Sequence, residues 1–414
     1  MNSYSWNPVY NLVMKMKQDY KQLVGEVDTY DFKTWLQKLN RKEYDEVFDC
    51  LHVNQNGSLV LFRYDLFEMK REMWENQGSI YRECRSVVID LEREEVVLSP
   101  YRKFFNLNEV EENKVDAVQQ KMRRAKVIEI ADKLDGSMQN ARWYRGNVFM
   151  AGSMAVSMQD SWRLEDGHRM LSNSYVRMLK EHDHYTFVFE YISQRDAHVV
   201  NYTKKDEGLY LIGVRNTFTG EHLSYCDVLQ LASAYGVKAV SLENKTLENL
   251  LEDMKTYRSY EKEGWVLHID GHFIKVKCDD YVSMHGLLDR ISSVNVIIQA
   301  IAEETYDDMV SKVPDAYRAR VEETASEVFK RLKETKSHIK HYYEAAPKDD
   351  RKECMIWIDQ HVPKALKSFV RNEFLGKRYD LLKKADGSYR KLHQIGIDDS
   401  RELSSVTKEG EPLE

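Results

Sequence analysis

Lys133-Leu134-Asp135-Gly136-Ser137 is the segment of this chain best equipped for covalent chemistry. It follows the strand-like run Val127-Ile128-Glu129-Ile130-Ala131, which predicts a lysine delivered by a strand to a glycine-containing turn. A lysine amine attacks only when neutral, and its solution pKa of about 10.4 keeps it charged near pH 7. Neighbouring cations favour the neutral form. Arg85, Lys103, Lys275 and Lys277 are available for that field, and they would also neutralise a polyphosphate. Glu190, inside Phe187-Val188-Phe189-Glu190-Tyr191, and Glu263, ahead of Gly264-Trp265-Val266, are the balancing acids. Each feature also has a plainer reading. K-x-D-G suits a surface turn. Lys275 and Lys277, two apart on a strand, suit a solvated edge. Glu190 either alternates out to water or is a paired carboxylate. Phe104 and Phe105 are either core or a stacking platform.

Taken together and in this order, the residues resemble the covalent nucleotidyltransferases: ATP-dependent RNA and DNA ligases and mRNA capping enzymes. Lys133–Gly136 is similar to their motif I, Glu190 to motif III, Glu263-Gly264 to motif IV, and Lys275 with Lys277 to motif V. Pro100–Glu109, Val214–Glu221 and Lys277–Ser283 extend the likeness to the phage RNA ligase 1 family. It covers residues 58–285 well and the remainder faintly. The resemblance implies that Lys133 carries AMP, with Lys275, Lys277 and Glu263 as further catalytic residues. It implies nucleotide contacts from Arg85, Lys103, Phe105, Asp135, Gly136, Glu190, Gly264, Lys275 and Lys277, Phe105 being the ring nearer the nucleotide. ATP is the implied substrate and Mg²⁺ or Mn²⁺ the implied metal, reached through water by Glu190 and Glu263. Two positions depart from the family. Ser86 stands where a glycine is usual after the arginine, and Ala151 where a basic residue precedes Gly152.

These side chains need elements to hold them. Helical spacing runs from Val9 to Leu23 and again over Phe32–Leu51. Asn54-Gln55-Asn56-Gly57 reads as a turn before the strand Leu59–Phe62. Strands are expected at 85–90, 96–99, 127–131, 138–144, 148–152, 185–192, 208–214, 265–269 and 273–277, with helices at 113–124 and 246–257. From Pro314 to Ala346 an amphipathic pattern (Tyr317, Val321, Ala325, Val328, Phe329, Leu332, Ile339) predicts one long helix, and Pro363–Leu375 a shorter one with Gly376 as its cap. The fold class is therefore α+β: an antiparallel-sheet nucleotidyltransferase domain, ATP-grasp-like, followed by an all-helical domain. The divisions are 1–285, 286–397 and a polar tail, 398–414.

Composition sets the outer bounds. The chain has 414 residues, 42% hydrophobic and 31% charged, as in ordinary globular proteins. No apolar run approaches the roughly 18 residues of a membrane span, and no basic segment leads into an apolar stretch at the N-terminus. The five cysteines form no C-x-x-C, so the expectation is reduced thiols in a cytoplasmic protein. Net charge is −7, yet Lys364–Lys391 holds nine Lys or Arg against three acids, leaving −13 on the rest. That segment is either a polyanion-binding patch or a solvated helix face.

Related DNA ligases and capping enzymes continue after motif V into a β-barrel, whereas this sequence turns helical. The function implied is an ATP-dependent single-stranded RNA ligase. It would join 5′-phosphate to 3′-hydroxyl ends through a lysine–AMP and an adenylylated RNA end, in RNA or tRNA repair. The alternatives are a non-catalytic RNA-binding protein of the same fold and an ATP-dependent DNA ligase. The expected partner is RNA such as a nicked tRNA. With no P-loop motif in the sequence, a separate kinase and phosphatase would prepare the ends. A monomer is expected.

Overall fold

Leu59-Val60-Leu61-Phe62 is apolar on both faces because its sheet is covered on both sides. In the computed structural model, which describes residues 4–65, 68–75, 78–291, 293–303, 305–311, 313, 315–384 and 386–395, four antiparallel strands form a meander. They are β1 (Leu51–Asn56), β2 (Leu59–Tyr64), β3 (Arg85–Asp90) and β4 (Glu95–Leu98). Val60, Phe62, Val87 and Ile89 face the helices Pro8–Val24, Phe32–Leu39 and Lys42–Phe48 in one core. Leu61 and Val88, one residue out of phase, enter a second core with Val97, Ala151 and Val156.

Two further sheets carry the chemistry. One has the order β11-β10-β5, from β5 (Ile128–Lys133), β10 (Gly264–Ile269) and β11 (His272–Lys277). Asp270 (φ +45°) and Gly271 (φ +86°) close its hairpin with the positive φ pair that a two-residue turn requires. The other has the order β7-β6-β8-β9, from β6 (Ser137–Tyr144), β7 (Asn147–Ala151), β8 (Tyr185–Ile192) and β9 (Gly208–Asn216). Its outer face packs Phe187, Phe189 and Tyr191 against the helices Asn173–Glu181 and Tyr225–Tyr235. Its inner face supplies Val188, Met138 and Ile212, which meet Ala131 and Val266 of the three-stranded sheet. The Lys133 turn thus lies where two sheets come together.

The chain divides into two compact units, Met1–Met284 and His285–Glu414. The second is built from helices, including Val294–Ala302, Asp315–Ala345, Arg351–His361 and Lys367–Phe374. The long helix expected from Pro314 therefore runs from Asp315, and Pro314 itself lies outside the described residues, as does the 398–414 tail. Val321, Ala325, Val328 and Ile339 are buried as the spacing requires, but Phe329 is 46% exposed and leans on the Tyr306 ring. Among the described residues no helix is long and apolar enough to cross a membrane.

The elements differ from the sequence expectation in several places. Phe32–Leu51 is two helices separated at Asn40 (φ +45°), and Leu51 opens a strand. Asn54–Asn56, read as a turn, pairs in β1, and Gly57-Ser58 makes the turn. Polar Asn54 and Gln55 fit a strand because their side chains bond outside the ladder, Asn54 to the Met154 carbonyl and Gln55 to Thr29. The short helices Trp162–Arg169 and Asn173–Glu181 have only two turns each, too few for a clear period.

Ser86 explains how one departure is accommodated. It is fully buried with φ +69°, the left-handed region that favours glycine, and its Oγ donates to the Ser153 carbonyl at 2.6 Å. Replacing it with Ala keeps the strained backbone and leaves that carbonyl without this partner, a loss of about 1–3 kcal/mol. Gly loses the same bond but relieves roughly 1–2 kcal/mol of backbone strain. In urea denaturation, the Ser86→Gly midpoint is expected to fall between those of the wild type and Ser86→Ala.

Candidate active site

The three-stranded sheet sets a row of backbone positions. Gly264 is registered with Lys133 on one side and Lys277 on the other. The residue before it, Glu263, is therefore flanked by both lysines. Its Oε2 lies 2.8 Å from Lys133 Nζ and its Oε1 lies 2.9 Å from Lys277 Nζ. The close approach requires glycine at 264: a Cβ there would sit 2.1 Å from the Val276 carbonyl oxygen, and φ is +146°.

The charges around Lys133 act in opposite directions. Burial opposes its positive charge, but Glu263 and Glu190 outweigh burial and raise its pKa above the usual lysine value. The expectation that surrounding cations hold this amine neutral is thus corrected: among the protein's own charges the two glutamates win. The depressed lysine is Lys275. Burial, then Arg85, Lys103, Lys133 and Lys277, push it well below the usual range. Its Nζ sits 4.8 Å over the Phe104 ring, with the Arg85 guanidinium 4.9 Å from the same ring.

Glu190 completes the set. Its Oε1 accepts the Gly136 N–H at 3.0 Å, and burial, opposed by Lys133 and reinforced by Glu263, raises its pKa to about 7. Glu263, held between two ammonium groups, is lowered despite its burial. Gly136 leaves no room for a side chain, since a Cβ would meet the Tyr191 carbonyl at 2.3 Å. Asp135 turns away from the ligand space. Its Oδ2 accepts the N–H groups of Val199 and Val200, both at 2.8 Å, and its Oδ1 accepts the Tyr281 hydroxyl at 2.8 Å. It ties the lysine turn to two other segments.

A cavity of about 240 Å³ opens onto this cluster. Lys133, Lys275, Lys277, Arg85, Glu190 and Phe104 line it, against apolar walls from the two facing sheets. Arg85 Nη1 is buried there without a hydrogen-bond partner among the described residues, a donor suited to an entering anion. Phe105, which the resemblance put nearer the nucleotide, is not in the lining. It is buried on Trp74, with the Lys103 ammonium 5.2 Å from its ring and also near Tyr64 and Trp74. Of the two phenylalanines, it is Phe104 that lines the cavity. Tyr281, Tyr202 and the 199–200 backbone were beyond sequence reasoning because their roles arise only through long-range bonds to the Asp135 segment.

The residues present fit a divalent cation of limited protein ligation. Two buried carboxylates adjoin a cationic cavity, and among the described residues no group of three or more His, Cys, Asp and Glu side chains converges. Both Glu263 oxygens already face lysines, whereas Glu190 gives one oxygen to Gly136. Glu190 is the freer ligand.

The site thus combines a lysine on a strand end, paired acids, a cationic cavity and two facing antiparallel sheets. Residues 83–282 match the RNA ligase family model, of the phage RNA ligase 1 type, so the resemblance holds over the whole motif-bearing segment. The chain is also 23% identical over 278 residues to a protein of Autographa californica nuclear polyhedrosis virus described as a bifunctional polynucleotide kinase/RNA ligase. That match covers 62% of this chain and 38% of the viral protein, so the chain spans well under half of that relative's length. Among solved structures, an archaeal ATP-dependent RNA ligase aligns with 89% of this chain and 99% of its own, at 12% identity and a TM-score of 0.44. The Naegleria gruberi RNA ligase with PPi covers 41% of this chain and 55% of its own, at 18% identity and a TM-score of 0.35. Neither of these remote likenesses carries the residue-level account.

The raised Glu190 has a consequence for stability. Its folded pKa of about 7 exceeds the ordinary 4.5, so its ionisation opposes folding as pH rises between those values. Glu190→Gln removes that cost. In denaturant titrations the variant is expected to be more stable than the wild type at pH 8, by roughly 3 kcal/mol, with the gain gone at pH 4. Equal stability at both pH values would contradict the assignment.

Proposed function

We propose that the chain is an ATP-dependent RNA ligase acting through a lysine–AMP intermediate. The observation that carries this is the Lys133–Glu263–Lys277 bridge set beside the cationic cavity of Arg85 and Lys275. In the first step Lys133 gives up its ammonium proton to solvent, the neutral amine attacks the α-phosphorus of ATP, the P–O bond to pyrophosphate breaks, and the second proton released from the nitrogen leaves with the pyrophosphate. Arg85, Lys275 and Lys277 neutralise the phosphates, and Glu263 holds Lys133 in line. Polyphosphate entering the cavity favours the charged form of Lys275, so this side chain is suited to take up a proton as the anion arrives. In the second step an RNA 5′-phosphate oxygen attacks the same phosphorus, the P–N bond breaks, and Lys133 regains a proton. In the third step a 3′-hydroxyl attacks the adenylylated end, forming a 3′–5′ phosphodiester and releasing AMP. A divalent cation bound at Glu190, and through water at Glu263, would supply charge neutralisation at the phosphates.

RNA rather than DNA is favoured by the helices that follow Lys277. The +6 stretch Lys364–Lys391 lies in the helical unit and is suited to RNA phosphates, with nicked tRNA as the substrate in a repair role. Lys364, Lys377 and Arg378 are exposed there, whereas Lys367 and Arg371 lean on Asp359. The viral relative's name couples a polynucleotide kinase to an RNA ligase, which supports a separate end-healing kinase acting before this chain. A cytoplasmic monomer of phage origin fits the reading.

Sealing assays test it. A single-stranded RNA bearing 5′-phosphate and 3′-hydroxyl ends should be joined in ATP and Mg²⁺, and a 5′-hydroxyl RNA should not. The matching DNA should be joined at least tenfold more slowly, and Lys133→Ala should join none of them. Joining by Lys133→Ala, or equal joining of DNA, would contradict the proposal.

A further inference from the structure

One departure from the family pattern, Ser86, and Arg63 on β2 converge on one residue, Ser153. Ser86 donates to its carbonyl, and Arg63 donates from Nη1 to its hydroxyl. The register between β2 and β3 shifts at Phe62/Arg63, so that Phe62 faces Val87 while Arg63 faces Arg85. Ser86 is the extra residue of this bulge, which re-aims its neighbours. Ala151, where the family carries a basic residue, is fully buried in the core with Leu61, Val88 and Val156. A cation there would enter an apolar core.

Arg63 has the properties of a displaced replacement. It is partly buried, and burial lowers its pKa. It makes no ion pair among the described residues; its bond is to a neutral hydroxyl. It opens onto a second cavity of about 730 Å³, walled in part by Ser137 and Ser153. Arg163 also lines that cavity, but its charge is taken by Asp196 at 2.6 Å, and Asp160 adds a carboxylate. Gly136 and Met138 line both this space and the Lys133 cavity, and at Gly136 no side chain stands between them. A 5′-phosphate that attacks AMP on Lys133 must arrive from such a neighbouring space.

We propose that Arg63 binds the 5′-phosphate end of the RNA strand in this second cavity, replacing the cation absent at Ala151, with Ser86 and Ser153 holding it in place. The inference rests on the ligase reading for the role of the strand, but its binding test is independent of catalysis. Anisotropy of a short fluorescent RNA, without ATP, should show the full-length wild type binding the 5′-phosphorylated form about tenfold tighter than the 5′-hydroxyl form. Arg63→Gln should cut that preference below twofold, and Arg63→Lys should keep most of it. If Arg63→Gln fails to melt cooperatively, Ser153→Asp serves instead: it places a carboxylate on Arg63 and should abolish the preference equally. A preference that survives Arg63→Gln or Ser153→Asp overturns the proposal. Uptake of AMP by the wild type is measured alongside. Absence of adduct would overturn the nucleotidyltransferase reading, while the anisotropy result still decides Arg63.

Discussion

The carboxylate of Glu263, shared between two lysine ammonium groups, is the constraint on which the rest of the site depends. A buried acid is tolerable only when paired, and here each oxygen has its own cation. The bridge exists because Gly264 registers with Lys133 and Lys277 at once, and because Gly264 has no Cβ to collide with β11. Sharing one carboxylate between two lysines also divides its hold on each. Lys133 is thus positioned by a group that a second cation competes for.

Around that bridge the protein keeps charge in tension. Glu190 is held near pH 7 and Lys275 far below a lysine's ordinary value, each mainly by burial. Such strain is costly to folding and characteristic of sites built to receive a charged ligand. The anchor that keeps the cluster in register is Asp135, whose carboxylate fastens the lysine turn to the 199–200 backbone and to Tyr281. Its placement beside Lys133 in sequence suggests chemistry, but its bonds are architectural.

Much of this could be read from the chain alone. The strand leading to Lys133, the strand around Glu190 and the Asp270-Gly271 hairpin are local patterns, and the structure contains all three. Other features depend on distances no sequence pattern encodes. Cations near Lys133 are obvious in the sequence, but that two acids outweigh them is not. Phe104 and Phe105 are indistinguishable by type, and which ring faces the cavity is seen only once this segment is paired with the Lys275 backbone on β11. Ser86 reads as a lost glycine until its left-handed backbone and its bond to Ser153 are seen. Asn54 and Gln55 suggested a turn because their partners lie far along the chain.

The central claim is that Lys133 takes AMP covalently. Intact mass spectrometry of the full chain, stripped with pyrophosphate and then incubated with ATP and Mg²⁺, tests it most directly. The account predicts a gain of one AMP on the wild type and none on Lys133→Ala. An unmodified wild type, or an adduct that persists in Lys133→Ala, would contradict it.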